Sequence, residues 1–444
     1  MLGPWIKPSR RHIYEVCTLV VLLALAAPSF LLAAVPDGPE IVGVGDVHGA
    51  YDNFVAILQR AGVIDANQHW SAKNATLVQV GDRVDRGPKP REVMELTMAL
   101  QKEAPKAGGR VIALLGNHEV MNIMGDLRYV TAENYASFAD KDSEKHRHEA
   151  YGQYSKWRKR NAELLSAIPD RFREQSESEW DAKHPAGFIE QREAYGPNGK
   201  YGKWLREEDT VAKIQDVIFV HGGLSPALNG MRIDEINRRV RQEIAAFDRA
   251  MDFFQKQDLV LPFFTLDEVT AMVQAELSAR LNSPRSRHPG GNPEEALPEH
   301  TQREIMQMFL GYGRWLCVAS DGPLWFRGYS QWDDSQNSTV DQLLSTYAAK
   351  HIVVGHTPQA GGEIRSRFGG KIFLIDTGML STYFPQGKAS ALEIVADKKF
   401  TAQYMDQQIV LLDLSGSDSN GSGPISSSTP VDQLGLQRRF IVNL

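Results

Sequence analysis

The sequence predicts an α/β protein, and three features carry the prediction. Six short runs rich in β-branched residues have the length of strands. Amphipathic helical stretches separate the first of them, the strand–helix–strand rhythm of an α/β architecture. Each run also ends in Asp, Asn or His close to a glycine, which sets polar groups directly after a buried-looking strand.

The strands are expected over 40–46 ("EIVGVGD"), 75–82 ("ATLVQVGD"), 110–117 ("RVIALLGN"), 216–223 ("DVIFVHGG"), 350–357 ("KHIVVGHT") and 371–378 ("KIFLIDTG"). Their apolar residues are continuous rather than alternating, the pattern of strands covered on both faces. "YDNFVAILQRAGVI" places Phe54, Ile57, Leu58 and Val63 at helical spacing after the first strand, and "PREVMELTMALQKEA" repeats this after the second. Two stretches, about 125–210 and 230–310, break the rhythm. The former is rich in charged and aromatic residues and the latter is mostly helical in pattern, so both read as insertions covering one edge of a single domain over 40–412.

The ends of the chain differ from its middle. Lys7, Arg10 and Arg11 precede the apolar run "VCTLVVLLALAAPSFLLAAV", so residues 1–35 read as a secretory signal peptide or a membrane anchor. An exported protein, periplasmic or extracytoplasmic, is the expectation, with a tether through this segment if it is not cleaved. Residues 413–432 form a Ser/Gly-rich linker and 433–444 a C-terminal tail.

A composition of 42% hydrophobic and 23% charged residues is that of an ordinary globular protein with a sizeable core. The formal charge of −6 gives no basic footprint, which argues against nucleic acid as a partner. Two cysteines, Cys17 and Cys317, make no disulfide framework.

The chemistry lies in the strand ends. They read Gly45-Asp46-Val47-His48-Gly49, Gly81-Asp82-Arg83-Val84-Asp85-Arg86-Gly87, Gly116-Asn117-His118-Glu119, His221-Gly222-Gly223 and Gly355-His356. Ligands of open α/β sheets bind outside the C-terminal ends of the strands. Asp, His and Asn without thiolate suit Mn, Fe or Zn. The donors outnumber the needs of one ion, and two ions about 3.5–4 Å apart with a shared carboxylate are an arrangement used for phosphoester hydrolysis. These residues alone do not say whether His118 or His48 acts as an acid.

Together the five motifs resemble the signature of the calcineurin-like metallophosphoesterases, specifically the phosphoprotein phosphatase superfamily. "GNHEVMNIMGDLRYV" and "GPLWFRGYS" resemble its bacterial-type branch, the Shewanella-like protein phosphatases. The resemblance covers roughly residues 40 to 400 and implies a central β-sandwich flanked by helices. It implies that Asp46, His48 and Asp82 hold one metal, and that Asp82, Asn117, His221 and His356 hold the other. A water bridging the ions would attack phosphorus directly. His118 would protonate the leaving oxygen with Asp85 orienting it, and Arg86 and Arg327 would grip the phosphate. The implied substrate is a phosphorylated protein side chain, Ser/Thr or Tyr. Dinucleoside polyphosphates or another small phosphoester are the alternative, and a non-catalytic envelope binding protein is a remote one. The identity of the metals and the oligomeric state stay open.

The chain departs from the classical eukaryotic pattern, Ser-Ala-Pro-Asn-Tyr, where it reads "LIDTGMLSTYFPQGKAS". Asp376 and Tyr383 there are candidates to line the site without an assigned role. Glu119 reads as a buried acceptor that fixes its loop, His146 and His148 as a solvated face, and His351 and Cys317 as structural.

Overall fold

The computed structural model describes residues 40–228, 230–282 and 297–416. The leader 1–35, nearly all of the linker and the whole tail lie outside the described residues. Among those described, no helix is long and apolar enough to cross a membrane.

All six expected strands form. They are β1 (Ile41–Val44), β2 (Thr76–Gln79), β3 (Arg110–Ala113), β5 (Val217–Val220), β6 (His351–Val354) and β8 (Ile372–Leu374). Five more complete two sheets: β4 (Val211–Ile214), β7 (Arg365–Arg367), β9 (Ser390–Val395), β10 (Lys399–Tyr404) and β11 (Gln408–Asp413). One sheet runs β11-β10-β9-β1-β2-β3 and the other β4-β5-β6-β8-β7. Within each, the motif-bearing strands are parallel: β1, β2 and β3 in the first, β5, β6 and β8 in the second.

The sheets enclose a common core. Val78 of β2, Val80 just after it, Leu392 and Ile394 of β9 and Phe400 of β10 meet Phe219, Val353 and Phe373 of the other sheet. Phe373 and Phe400 stack at 4.4 Å between ring centroids, at the short end of favourable aromatic pairs. The outer faces are covered too. Val42, Val44 and Leu77 pack under α1 (Tyr51–Arg60) and α2 (Pro90–Glu103), through Phe54, Ile57 and Leu58 of α1 and Val93 and Leu100 of α2. Ile218, Val220, Ile352 and Val354 pack under Ile236, Val340 and Leu343. Burial on both faces is what the continuous apolar runs require. Val63 is buried in the same layer, but helix α1 ends at Arg60 and Val63 follows the turn beyond it.

Helix α3 (Asn117–Met124) starts within the third motif, and all eight of its residues are buried. The two insertions account for that. They supply α4 (Ser143–Arg160), α5 (Phe188–Tyr195), α6 (Ile233–Lys256), α7 (Leu266–Asn282) and α8 (Glu299–Leu310). Val120, Ile123 and Met124 of α3 join a cluster with Trp157, Phe254, Phe264 and Phe309 from these insertions. The helix that carries Asn117 and His118 is thereby clamped between a sheet and another core.

Candidate active site

The loops after β1, β2, β3, β5 and β6 bring the five motifs to one place, and their backbone is bent to do so. His48, Asp82, Asp85, Arg86 and His356 have φ of 47°, 56°, 67°, 63° and 68°, the left-handed region that costs a non-glycine residue energy. Two glycines permit the approach. A Cβ on Gly116 would lie 2.2 Å from Asp82 Oδ1, and one on Gly355 would lie 2.3 Å from Asp46 Oδ1.

Glu119 holds the second loop against the third. Its Oε2 accepts the N–H of Gly116 at 2.7 Å and of Asp82 at 2.8 Å, and its Oε1 accepts that of Arg83 at 2.8 Å. It is a loop anchor, as its place in the motif suggests.

Around Asp82 the side chains form two groups whose potential ligand atoms lie within 4.8 Å of one another: His48, Asp82 and His118, and Asp82, His221 and His356. Asp82 belongs to both, the position a bridging carboxylate needs. Asn117 joins the second group, with Oδ1 2.8 Å from His221 Nε2. Asp46 comes from the β1 side, and both its oxygens accept the His356 N–H, at 3.0 and 3.1 Å.

The donor chemistry tests whether cations fit. His221 Nδ1 lies 3.0 Å from the Val80 carbonyl oxygen, so it carries the proton and donates. Nε2 then faces Asn117 Oδ1, His356 Nδ1 at 3.2 Å and Asp82 Oδ2 at 3.3 Å. Four nitrogen and oxygen atoms able to bind a cation converge there, and such buried polar atoms are costly unless a proton or a cation lies between them. His356 Nε2 is buried without a hydrogen-bond partner. The donor set fits hard or borderline metal ions.

The electrostatics agree. Burial, His118 and Arg86 push His48 well below the ordinary histidine range, and burial with His221 and Arg327 does the same to His356, so both stay neutral donors. Burial raises the Asp46 carboxyl, helped by Asp376 and Asp82. Asp376 itself is pushed up to about 6 by burial. For Asp82 burial acts upward, but the surrounding histidines outweigh it and hold the carboxyl well below its usual range.

His118 stands apart. Its Nδ1 is 2.6 Å from Asp85 Oδ2, and Asn122 donates to Asp85 Oδ1 at 2.7 Å. Gln191 of α5 donates to Asn122 Oδ1 at 2.5 Å, so the insertion braces this chain of bonds. Burial favours neutral His118, but Asp82 and Asp85 prevail and raise it. Arg86 reaches the open side of both rings, with Nη1 2.9 Å from His48 Nε2 and Nη2 3.3 Å from His118 Nε2.

Arg327 lies elsewhere on the rim. Its Nη1 donates to the His356 carbonyl at 3.0 Å and to Thr357 Oγ1 at 2.9 Å. Tyr383 and Tyr129, both partly exposed, flank Arg86, whose guanidinium carbon sits 3.9 and 5.1 Å from their ring centroids. Sequence reasoning missed Asn122, Gln191 and Tyr129. Asn122 has a readable signal, one helical turn after His118, whereas Gln191 and Tyr129 have none. A third metal-type group, Asp140, His146 and Glu190, lies at the surface, where a His146–Glu190 ion pair at 2.8 Å accounts for it.

Residues 39–360 match the family model described as calcineurin-like phosphoesterase. The chain is 24% identical over 385 residues to Shewanella-like protein phosphatase 1 of Plasmodium berghei, covering 83% of this chain and 78% of that one. It is 31% identical over 217 residues to Shewanella-like protein phosphatase 2 of Arabidopsis thaliana, covering 47% and 53%. The crystal structure of a cold-active protein-tyrosine phosphatase of a psychrophile, Shewanella sp., superposes with a TM-score of 0.51 at 22% identity, covering 84% and 80%, which shows a shared fold. With the model spanning 39–360 and the two-metal donor set at the strand ends, the chain belongs to the calcineurin-like phosphoesterase family.

Proposed function

We propose that this protein is a metal-dependent phosphomonoesterase acting on phosphorylated protein side chains. The observation that carries the reading is the buried His118–Asp85 pair at 2.6 Å, at the edge of the donor cluster and within reach of Arg86. Asp46, His48 and Asp82 would hold one ion, and Asp82, Asn117, His221 and His356 the other. Bound there, the ions supply Lewis-acid polarisation of the phosphoryl group and neutralise charge that develops on it.

The chain's own residues do the rest. Arg86 offers N–H donors at the open side, in the fork that matches phosphoryl oxygens. Asp85 keeps the proton on His118 Nδ1 and favours the charged ring, and with Arg86 turned from Nε2 to the phosphate, Nε2 would carry a proton for the leaving oxygen. Arg327 steadies the His356 loop, and gripping phosphate would use its other donors. Within the class we infer a preference for phosphotyrosine. Tyr129 and Tyr383 both lie against Arg86 and are exposed, so an aryl ring whose phosphate pairs with Arg86 has aromatic surface to pack on.

The test is turnover with manganese on phosphoserine, phosphothreonine and phosphotyrosine peptides and on diadenosine tetraphosphate, parent against Asp82→Asn. Peptide turnover lost in the variant supports the reading. Turnover of the tetraphosphate alone replaces it with the small-phosphoester alternative, and no turnover at all leaves a binding protein. Export remains part of this proposal through residues 1–35. N-terminal sequencing of the mature protein from soluble and membrane fractions tests it.

A further inference from the structure

We propose that an apolar side pocket opening beside Asn117 receives a large neutral side chain of the phosphorylated protein, close in sequence to the phosphoresidue. The proposal rests on the protein-phosphatase reading and adds a sequence preference to it.

The pocket is a cavity of about 450 Å³ between α3 and the insertions. Its walls are Met121 and Met124 of α3, Leu266 of α7, and Leu310, Val318 and Trp325. Two lining residues connect the pocket to the donor cluster. Asn117 lines the pocket while its Oδ1 meets His221, and the Trp325 ring lies 5.8 Å from that of His356. The cavity therefore adjoins the donor cluster on its Asn117 and His356 side, within reach of a chain whose phosphate is held there.

The lining selects the kind of side chain. Its charged groups, Asp126 and Arg128, are paired with each other at 2.6 Å, which leaves no charge to attract an acidic or basic residue. The volume falls in the range of ligand pockets and exceeds one aliphatic or aromatic side chain. Two methionines give the wall an adaptable surface suited to several apolar shapes. Thr270 and Gln274 of α7 stand at its border.

The experiment measures kcat/KM with manganese on phosphotyrosine peptides of one length, in which each position within three residues of the phosphotyrosine is Leu, Phe or Ser in turn. The parent is expected to favour Leu or Phe over Ser at least tenfold at one position. Thr270→Trp, which fills the cavity, is expected to bring that ratio within twofold of unity. Gln274→Leu, which extends the apolar wall, is expected to raise it. Because the readout is a ratio, a general loss of activity cancels. A parent with no preferred position, or a Thr270→Trp variant that keeps the preference, overturns the proposal. Should Thr270→Trp fail to fold, an unchanged ratio in Gln274→Leu overturns it. If a small aryl phosphate is cleaved and no phosphopeptide is, the protein-phosphatase reading falls and this proposal with it. Peptides cleaved without preference remove the pocket's role alone.

Discussion

Replacing Glu119 by Gln leaves size and shape almost unchanged and removes one charge and one acceptor. The parent carboxylate accepts three backbone N–H groups, two at Oε2 and one at Oε1, and its Oε1 lies 3.5 Å from Arg83 Nε. Gln offers one carbonyl oxygen. With that oxygen in place of Oε2, the NH₂ group faces the Arg83 N–H and leaves it unsatisfied, at about 1–3 kcal/mol for a buried donor. The two surviving bonds drop from charged to neutral acceptors, which adds about 1–2 kcal/mol. The total is about 2–5 kcal/mol. At about 2.1 cal/mol/K of unfolding entropy per residue, a domain of about 370 residues loses about 3–6 °C. The same bonds fix Asp82, so manganese affinity is expected to fall about 10- to 100-fold, the usual cost of disturbing groups that support a metal ligand. Calorimetry of chelator-treated protein isolates the stability term, and a manganese titration reads the affinity. A midpoint within 1 °C of the parent together with unchanged manganese affinity would refute the anchoring role.

Four further outcomes are expected. Asp82→Asn removes the carboxylate common to both donor groups and abolishes turnover on any phosphoester, and activity within tenfold of the parent contradicts the two-ion arrangement. His118→Asn and Asp85→Asn lower kcat about 10²- to 10⁴-fold on phosphotyrosine peptides, and less on p-nitrophenyl phosphate, whose leaving oxygen needs little protonation. Equal losses on both substrates count against a proton donor. Gly355→Ala forces its Cβ against Asp46 Oδ1, 2.3 Å away, and reduces metal content by elemental analysis. Asn122→Ala frees Asp85 Oδ1 and lowers kcat about tenfold with KM unchanged. A change in KM alone places Asn122 in binding instead.

Runs such as "EIVGVGD" and "RVIALLGN" can be read as strands because their burial on both faces is written into consecutive apolar residues, and the donors at their ends stand out because polar groups after a buried strand need partners. Helices α1 and α2 were legible for the same local reason. Strands β9, β10 and β11 were not marked, since they carry no motif: β9 and β10 owe their burial to neighbouring strands and the opposite sheet, and β11 is largely exposed. Edge strands β4 and β7 are short and partly polar, so little in their own residues favours a sheet.

The sequence by itself determined which donors exist, their order and the local turns that present them. Only the tertiary structure decided that His221 and His356 of one sheet face Asp82 and Asn117 of the other, because contacts between residues far apart in the chain leave no periodicity to read. It also decided that Gln191 and Asn122 brace Asp85, and that Tyr129 meets Arg86. Those partners are set by how the insertions pack on α3, and packing depends on the shape of both surfaces at once.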